Sequence, residues 1–475
     1  MGNALYEIIE FSIKGNKMSK FWGSRFEKGT DKLADEFSFS LEYDKRLAIY
    51  DVIGSIAHAT MLGKCKIISR IDSSKIVSGL KKIALQLEKG AFKFDMQEED
   101  IHSNIQSALK KMIGPAADKL HTARSRNDLI VLDMKLYCMD ELTTIIDLIS
   151  KLQKSILSFA EKNKDVIIPA YTHLQAAQVV LLSHHMLAYI EMLERDKQRT
   201  LDAIIRTSSM PLGSCALAGT TLPTDRDFVT EELEFLTTTK NSIDSVSDRD
   251  FIIEALSSLA ILGMHFSRIS EDLIIWATSE FNYVNIDWGL CTGSSIMPHK
   301  KNPDILELIR GETAKLYSNL SEVLILTKGL PLTYNRDLQL DKPPLFESID
   351  KIKQITALMA KLFSSLKVNK THLAKRIEDE SFYTVDLMEY LIKKGVSYRE
   401  AHDIIGKMVK ECLDKGKKIS DLTKEQLKIY CQKFEIDAKK LLNAKSSVEN
   451  KKSYGSTNPK LVEKQIDSWN EYFKQ

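Results

Sequence analysis

Residues Arg124 to Ile168 read RSRNDLIVLDMKLYCMDELTTIIDLISKLQKSILSFAEKNKDVII, a run without glycine or proline. Within it Leu132, Leu136, Met139, Leu142, Ile146, Ile149, Leu152, Ile156 and Phe159 advance by threes and fours, which places them on one face of a helix. Ile130, Ile145 and Leu148 widen that face. A helix apolar over so much of its circumference needs neighbours on several sides, so the run predicts a helix bundle. Segments of about 30 residues span about 45 Å, more than one compact domain usually needs, and a bundle shared between subunits explains that length.

The neighbouring sequence has the same character. Ala170 to Met210 and Leu345 to Lys394 also lack glycine and proline, and the chain holds only 20 Gly and 10 Pro in 475 residues. Each tract outruns a mean helix of about 11–12 residues, so polar turns must break some of them. Alternating short β-type runs are missing, and the fold class is read as all-α. Gly, Ser, Thr, Asn and Pro gather at 114–128, 207–226, 289–303 and 329–344, the loops where chemistry is expected.

Charge and cysteine usage narrow the partners. With 67 Lys+Arg against 65 Asp+Glu, no one-signed field recommends nucleic acid or an anionic membrane. A small-molecule substrate fits better. Six scattered cysteines without CxxC spacing suggest neither a disulfide framework nor a zinc site, and a reducing cytoplasm is expected. No apolar run of membrane-spanning length is read. Glu7 and Glu10 interrupt the stretch from Leu5 to Ile13, which therefore lacks a signal peptide's apolar region, and Tyr6 spoils a myristoylation reading of Met1-Gly2. Residues 1–17 are taken as an extension. The phosphate-cradling glycine motifs of dinucleotide and nucleotide sites are absent, as is HExxH, and neither cofactor nor metal is expected. His184 and His185 diverge on a helix and read as packed or exposed.

The most informative loop is GSSIMPHKKN at 293–302, followed by Pro303 and Asp304. Pro303 suits a first helical position, which makes Asn302 the expected N-cap and aims the positive end of the next helix at the loop. With Lys300 and the Asn302 amide, that end would stabilise a carboxylate gaining charge, and Ser294 would be a candidate base. A capped turn between helices is the commoner use of such residues.

That loop resembles the signature of the fumarase and aspartase superfamily, whose members eliminate fumarate from substituted succinates. Other strings resemble the argininosuccinate lyases in particular: FWGSRF at 21–26, SLEYD at 40–44, EDIH at 99–102, HTARSRND at 121–128, YTHLQ at 171–175, SDRD at 247–250, and LPLTYNRD at 330–337 with Gln339 and Lys342. The resemblance implies an all-α fold of three helical domains around a long central bundle, with expected units at 18–124, 125–372 and 373–475. It implies a homotetramer whose active sites are shared between subunits, with argininosuccinate as the small-molecule substrate.

Residue by residue, the match gives Ser294, His173, Thr172, Lys300 and Asn302 catalytic roles. Ser40, Asp44, Arg124, Asn127, Thr172, Arg249, Tyr334, Gln339 and Lys342 receive substrate-binding roles. Each string also has an ordinary reading. Ser125 or Asn127 caps a helix, Thr172 and Gln175 fit a T-x-x-Q capping box, and 334–342 is a polar surface loop. Four departures stand out: His299 where Gln is usual, Gln106 for Glu, Arg336 for Lys and Leu340 for Glu. His299 also occurs in adenylosuccinate lyases, and the family includes lens crystallins that are silent structural proteins. Those are the competing expectations.

Overall fold

The computed structural model describes residues 31–474. The extension at 1–17 and the string at 21–26 lie outside the described residues.

Three helices form the first layer: α1 (Ala48–Lys64), α2 (Arg70–Glu88) and α3 (Ile101–Ile113). Ser69 and Asp100 cap α2 and α3 through their side chains, satisfying amide donors that a helix start leaves unpaired. Val52, Leu62, Ile76, Leu80, Ile105 and Leu109 close this layer's core.

The decisive run folds as α4 (Arg126–Lys162), 37 residues long and thus about 55 Å. Ser125 and Asp128 form its capping box. Leu142, Ile145, Ile149, Leu152 and Ile156 are fully buried, as the periodicity requires.

After α4 the chain departs from expectation. Residues 167–181 form a hairpin, β1 (Ile167–Thr172) against β2 (Gln175–Leu181), paired antiparallel from Ile167↔Leu181 to Thr172↔Gln175. The capping-box reading of Thr172 to Gln175 is therefore wrong. His173 and Leu174 are a two-residue turn with φ of 56° and 55°, and helix resumes only at Leu182. The β-branched pairs Ile167-Ile168 and Val179-Val180 favour strand, and Pro169 occupies a strand where a helix interior would exclude it.

Four further helices complete the bundle: α5 (Leu182–Thr207), α6 (Asp250–Ala277), α7 (Asp304–Thr327) and α8 (Lys342–Ser365). Contacts fix their directions. Gln153 of α4 meets Ile190 of α5, while Lys135, near the start of α4, reaches Ser209 just past the end of α5. His265 of α6 bonds Asp196 of α5, and Arg206 bonds Glu254. Thr313 of α7 bonds the Gly263 carbonyl of α6, where a Cβ on the glycine would collide with Leu316. Lys351 of α8 meets Glu312, and Lys353 meets Glu141 of α4. Helices α4, α6 and α8 therefore run one way, and α5 and α7 the other. Helix α6 is long and apolar enough to cross a membrane by length and composition, contrary to the sequence reading. It is mostly buried among these neighbours, which accounts for its apolarity.

Past the bundle, α9 (Thr384–Lys393) and α10 (Tyr398–Asp414) build a separate cluster around Leu391, Met408 and Phe434. The last helix, α11 (Pro459–Tyr472), returns to the bundle, where Val462 and Ile466 join the main core.

Candidate active site

The starts of α4 and α8 meet at one end of the bundle, beside α3, and line a pocket of about 170 Å³. Ser40, Asp44, Asn127, Tyr334, Gln339 and Lys342 line it, so six of the predicted binding residues, from three distant stretches of sequence, converge. Five of the six are held by hydrogen bonds or ion pairs within the chain. The Ser40 hydroxyl donates to Asp44 Oδ2 at 2.5 Å, and Asp44 Oδ1 is buried without a partner. Burial raises the Asp44 carboxyl above its ordinary value against the pull of the Ser40 hydrogen bond. Asn127 donates to the Ala216 carbonyl at 3.0 Å, and Gln339 to the Ser38 carbonyl at 3.1 Å. Lys342 opens α8, with Nζ 3.2 Å from Asp341 Oδ1.

Two predicted binding residues lie behind the pocket wall. Arg249 is buried and ion-paired with Asp341, and it donates to the Asp248 carbonyl at 2.7 Å. Arg124 donates to Ser55 Oγ at 2.8 Å. A guanidinium sealed against carboxylates or hydroxyls braces its neighbours, and this is the placement both arginines have in the single chain.

Arg126, whose donors beside Arg124 and Asn127 suit a substrate with several carboxylates, also lines the pocket, as do Glu99, Asp100, His102 and Arg336, which have no expected binding role. Arg126 pairs with Asp100 at 2.9 Å, and Arg336 reaches Glu99 Oε1 and the Ser38 carbonyl, both at 2.9 Å. The EDIH string at 99–102 was the available signal. Its residues come together only because α3 packs across the start of α4.

The other half of the predicted site is at the far end of the bundle. The loop 293–302 joins the end of α6 to the start of α7, and the β1–β2 hairpin joins the end of α4 to α5. The Tyr171 and Tyr283 hydroxyls bond to each other, which ties that hairpin to the end of α6. Helix α6 has 28 residues, so about 42 Å separates this end from the pocket.

Within the loop the geometry corrects one expectation. The N-cap of α7 is Pro303, not Asn302. Asn302 pairs its backbone with Thr292, its amide donating at 2.8 Å and its carbonyl accepting at 3.1 Å. That short bridge pulls Asn302 out of the cap position. Ser294 Oγ accepts from the amides of Ile296 and Met297 at 3.3 and 3.1 Å. Lys301 bonds Asn285 and lies 4.4 Å from the Trp288 ring centroid, while Lys300 is exposed and has no partner among the described residues. His173 is likewise exposed on the hairpin turn. Ile296, at 86% relative exposure, and Leu174, at 71%, present apolar surface there.

This long five-helix bundle, with a carboxylate-and-amide pocket at one end and a Ser/Lys/Asn loop at the other, belongs to a lyase: the general lyase family model matches residues 24–317. A model described as argininosuccinate lyase C-terminal matches residues 383–449. The argininosuccinate lyase of Geotalea daltonii is 48% identical over 448 residues, covering 94% of this chain and 98% of its own length. That of Ruminiclostridium cellulolyticum is 45% identical with the same coverage. Among solved structures, EDDS lyase in complex with formate superposes with a TM-score of 0.81 at 27% identity, over 90% of this chain and 86% of that one. The chain belongs to the argininosuccinate lyase family.

Proposed function

We infer that this chain catalyses the reversible β-elimination of argininosuccinate to L-arginine and fumarate. The observation that carries the reading is the pocket in which Asp44 presents a buried, unpaired oxygen beside Asn127, Gln339 and Lys342. A carboxylate with a free acceptor suits a guanidinium or amino group, and Lys342 and the amides suit carboxylates. Membership of the family supports the same substrate.

In this mechanism Ser294 removes a proton from the succinate carbon next to a carboxylate. Lys300, the Asn302 side chain and the start of α7 stabilise the resulting aci-carboxylate dianion. The C–N bond to the guanidino nitrogen then breaks, and His173, directly or through Thr172, supplies the proton that the leaving nitrogen needs. The two amides donated to Ser294 Oγ favour its alkoxide, which is what a serine base requires.

The separation of the two halves supports a homotetramer. A substrate of about 10 Å cannot bridge an end-to-end distance of about 42 Å, so the loop and hairpin of one subunit complete the pocket of another. The exposed apolar residues Leu174, Ile296 and Met297 suit burial against such a neighbour. A cytoplasmic location agrees with the six free cysteines among the described residues.

Fumarate release, measured side by side with argininosuccinate and adenylosuccinate, tests the reading. Turnover of argininosuccinate is expected. Turnover of adenylosuccinate alone would overturn it, and turnover of neither would favour a silent structural protein.

A further inference from the structure

Beneath the pocket floor is a fully buried group that the mechanism above does not use: Asp51 on α1, His102 on α3 and Asp133 on α4. His102 Nδ1 is hydrogen-bonded to Asp51 Oδ2, and Asp133 Oδ2 stands 3.9 Å from the same nitrogen. Asp51 Oδ1 accepts from Ser55 Oγ at 3.2 Å, and Ser55 in turn accepts from Arg124. These three residues are close enough together to be considered as metal ligands. The direct Asp51–His102 bond fills the space an ion would need, and the arginine beside them supplies positive charge.

The imidazole has one more nitrogen. Nε2 has no hydrogen-bond partner among the described residues, and His102 is among the residues that line the pocket with Asp44 and Lys342. We propose that Asp51 is a positioning residue that holds His102 with Nδ1–H directed inward, so that His102 offers Nε2–H to a carboxylate of the substrate. The proposal rests on the argininosuccinate reading and deepens it by adding a carboxylate contact at the pocket floor.

The charges around the ring agree. Burial opposes a charge on His102, but Asp51 and then Asp100 outweigh it and raise the imidazole above its ordinary value. Asp51 is held below its ordinary value despite burial, by His102 and then Arg124. Burial, with Asp51 next, raises the Asp133 carboxyl well above its ordinary value. The groups facing the ring are therefore Asp51 from α1, Asp100 at the start of α3, Asp133 and Arg126 from α4, and Asp44 and His121 from the flanking segments. A carboxylate held by imidazolium and by Lys342 gains two charge-assisted donors.

The test is steady-state kinetics of Asp51→Asn and His102→Gln in the full-length enzyme from pH 6 to 9. Both variants are expected to raise KM for argininosuccinate about tenfold or more, with kcat falling less than about threefold. In Asp51→Asn the KM is further expected to rise with pH through the range of an ordinary histidine, near 6.5. A wild-type KM in both variants, or a loss in kcat alone, would overturn the proposal. If Asp51→Asn fails to fold, ¹⁵N-histidine NMR of the wild type decides: adding fumarate should shift the His102 Nε2 signal, and an unmoved signal refutes the contact. Failure of the wild type to release fumarate from argininosuccinate at all would instead remove the underlying substrate reading.

Discussion

Ser40 donates its hydroxyl to one oxygen of Asp44 at 2.5 Å and leaves the other oxygen buried and unpaired. The pair is built for a cationic or amide donor that the protein itself does not supply. Replacing Asp44 with Asn removes the charge and keeps the shape, so kcat/KM for argininosuccinate should fall by about 10- to 100-fold. Ser40→Ala should cost less, because Asp44 remains. Equal kcat/KM in Asp44→Asn and wild type, read from fumarate absorbance, would show that Asp44 does not meet the substrate.

Ser294 and His173 sit about 42 Å, measured along α6, from the pocket of their own chain. Ser294→Ala and His173→Asn should each lower kcat by on the order of 10²–10⁴-fold, and near-normal turnover in both would sink the assignment. Because the two halves belong to different subunits in this scheme, unfolding and refolding Asp44→Ala together with Ser294→Ala should restore part of the activity that neither has alone. Light scattering of the wild type should give about 216 kDa, four copies of a 53.9 kDa chain.

The hairpin turn is strained. Leu174 has a φ of 55°, where a side chain costs roughly 1–2 kcal/mol, and its side chain is mostly exposed in the single chain. Leu174→Gly should raise the thermal unfolding midpoint at fixed protein concentration, by an amount equivalent to about 1 kcal/mol. A lower midpoint would mean that contacts of Leu174 with a neighbouring subunit outweigh the strain.

His58 is buried on α1, with Nε2 hydrogen-bonded to the Thr122 carbonyl at 2.9 Å. Burial, with Arg124 next, pulls its imidazole down to about 3. The unfolded chain takes up this proton near pH 6.5 and the folded chain does not, so stability is full above that pH. It declines as pH falls from 6.5 towards 3, by about 2 kcal/mol at pH 5. His58→Gln should flatten this part of the pH dependence of urea unfolding, and an unchanged slope would show that His58 does not set it.

The sequence by itself determined the helical class, because a 3.6-residue period of Leu and Ile over residues 132–159 cannot be satisfied by strands. It also marked the strings that meet at the pocket, since Ser40, Asp44, Asn127, Tyr334, Gln339 and Lys342 were all legible as motif positions. It misread Thr172 to Gln175, where a capping box and a two-residue hairpin turn share the same polar letters and only the pairing of Ile167-Ile168 with Val180-Leu181 distinguishes them. Tertiary structure alone decided the rest. Helix packing brought the EDIH residues under the pocket, turned Arg249 and Arg124 into buried braces, and placed Ser294 and His173 at the opposite end of the bundle from Asp44. The reason is physical: local periodicity fixes which face of a helix is buried, whereas which helix covers that face, and which loops meet at each end, depends on contacts between residues a hundred or more positions apart.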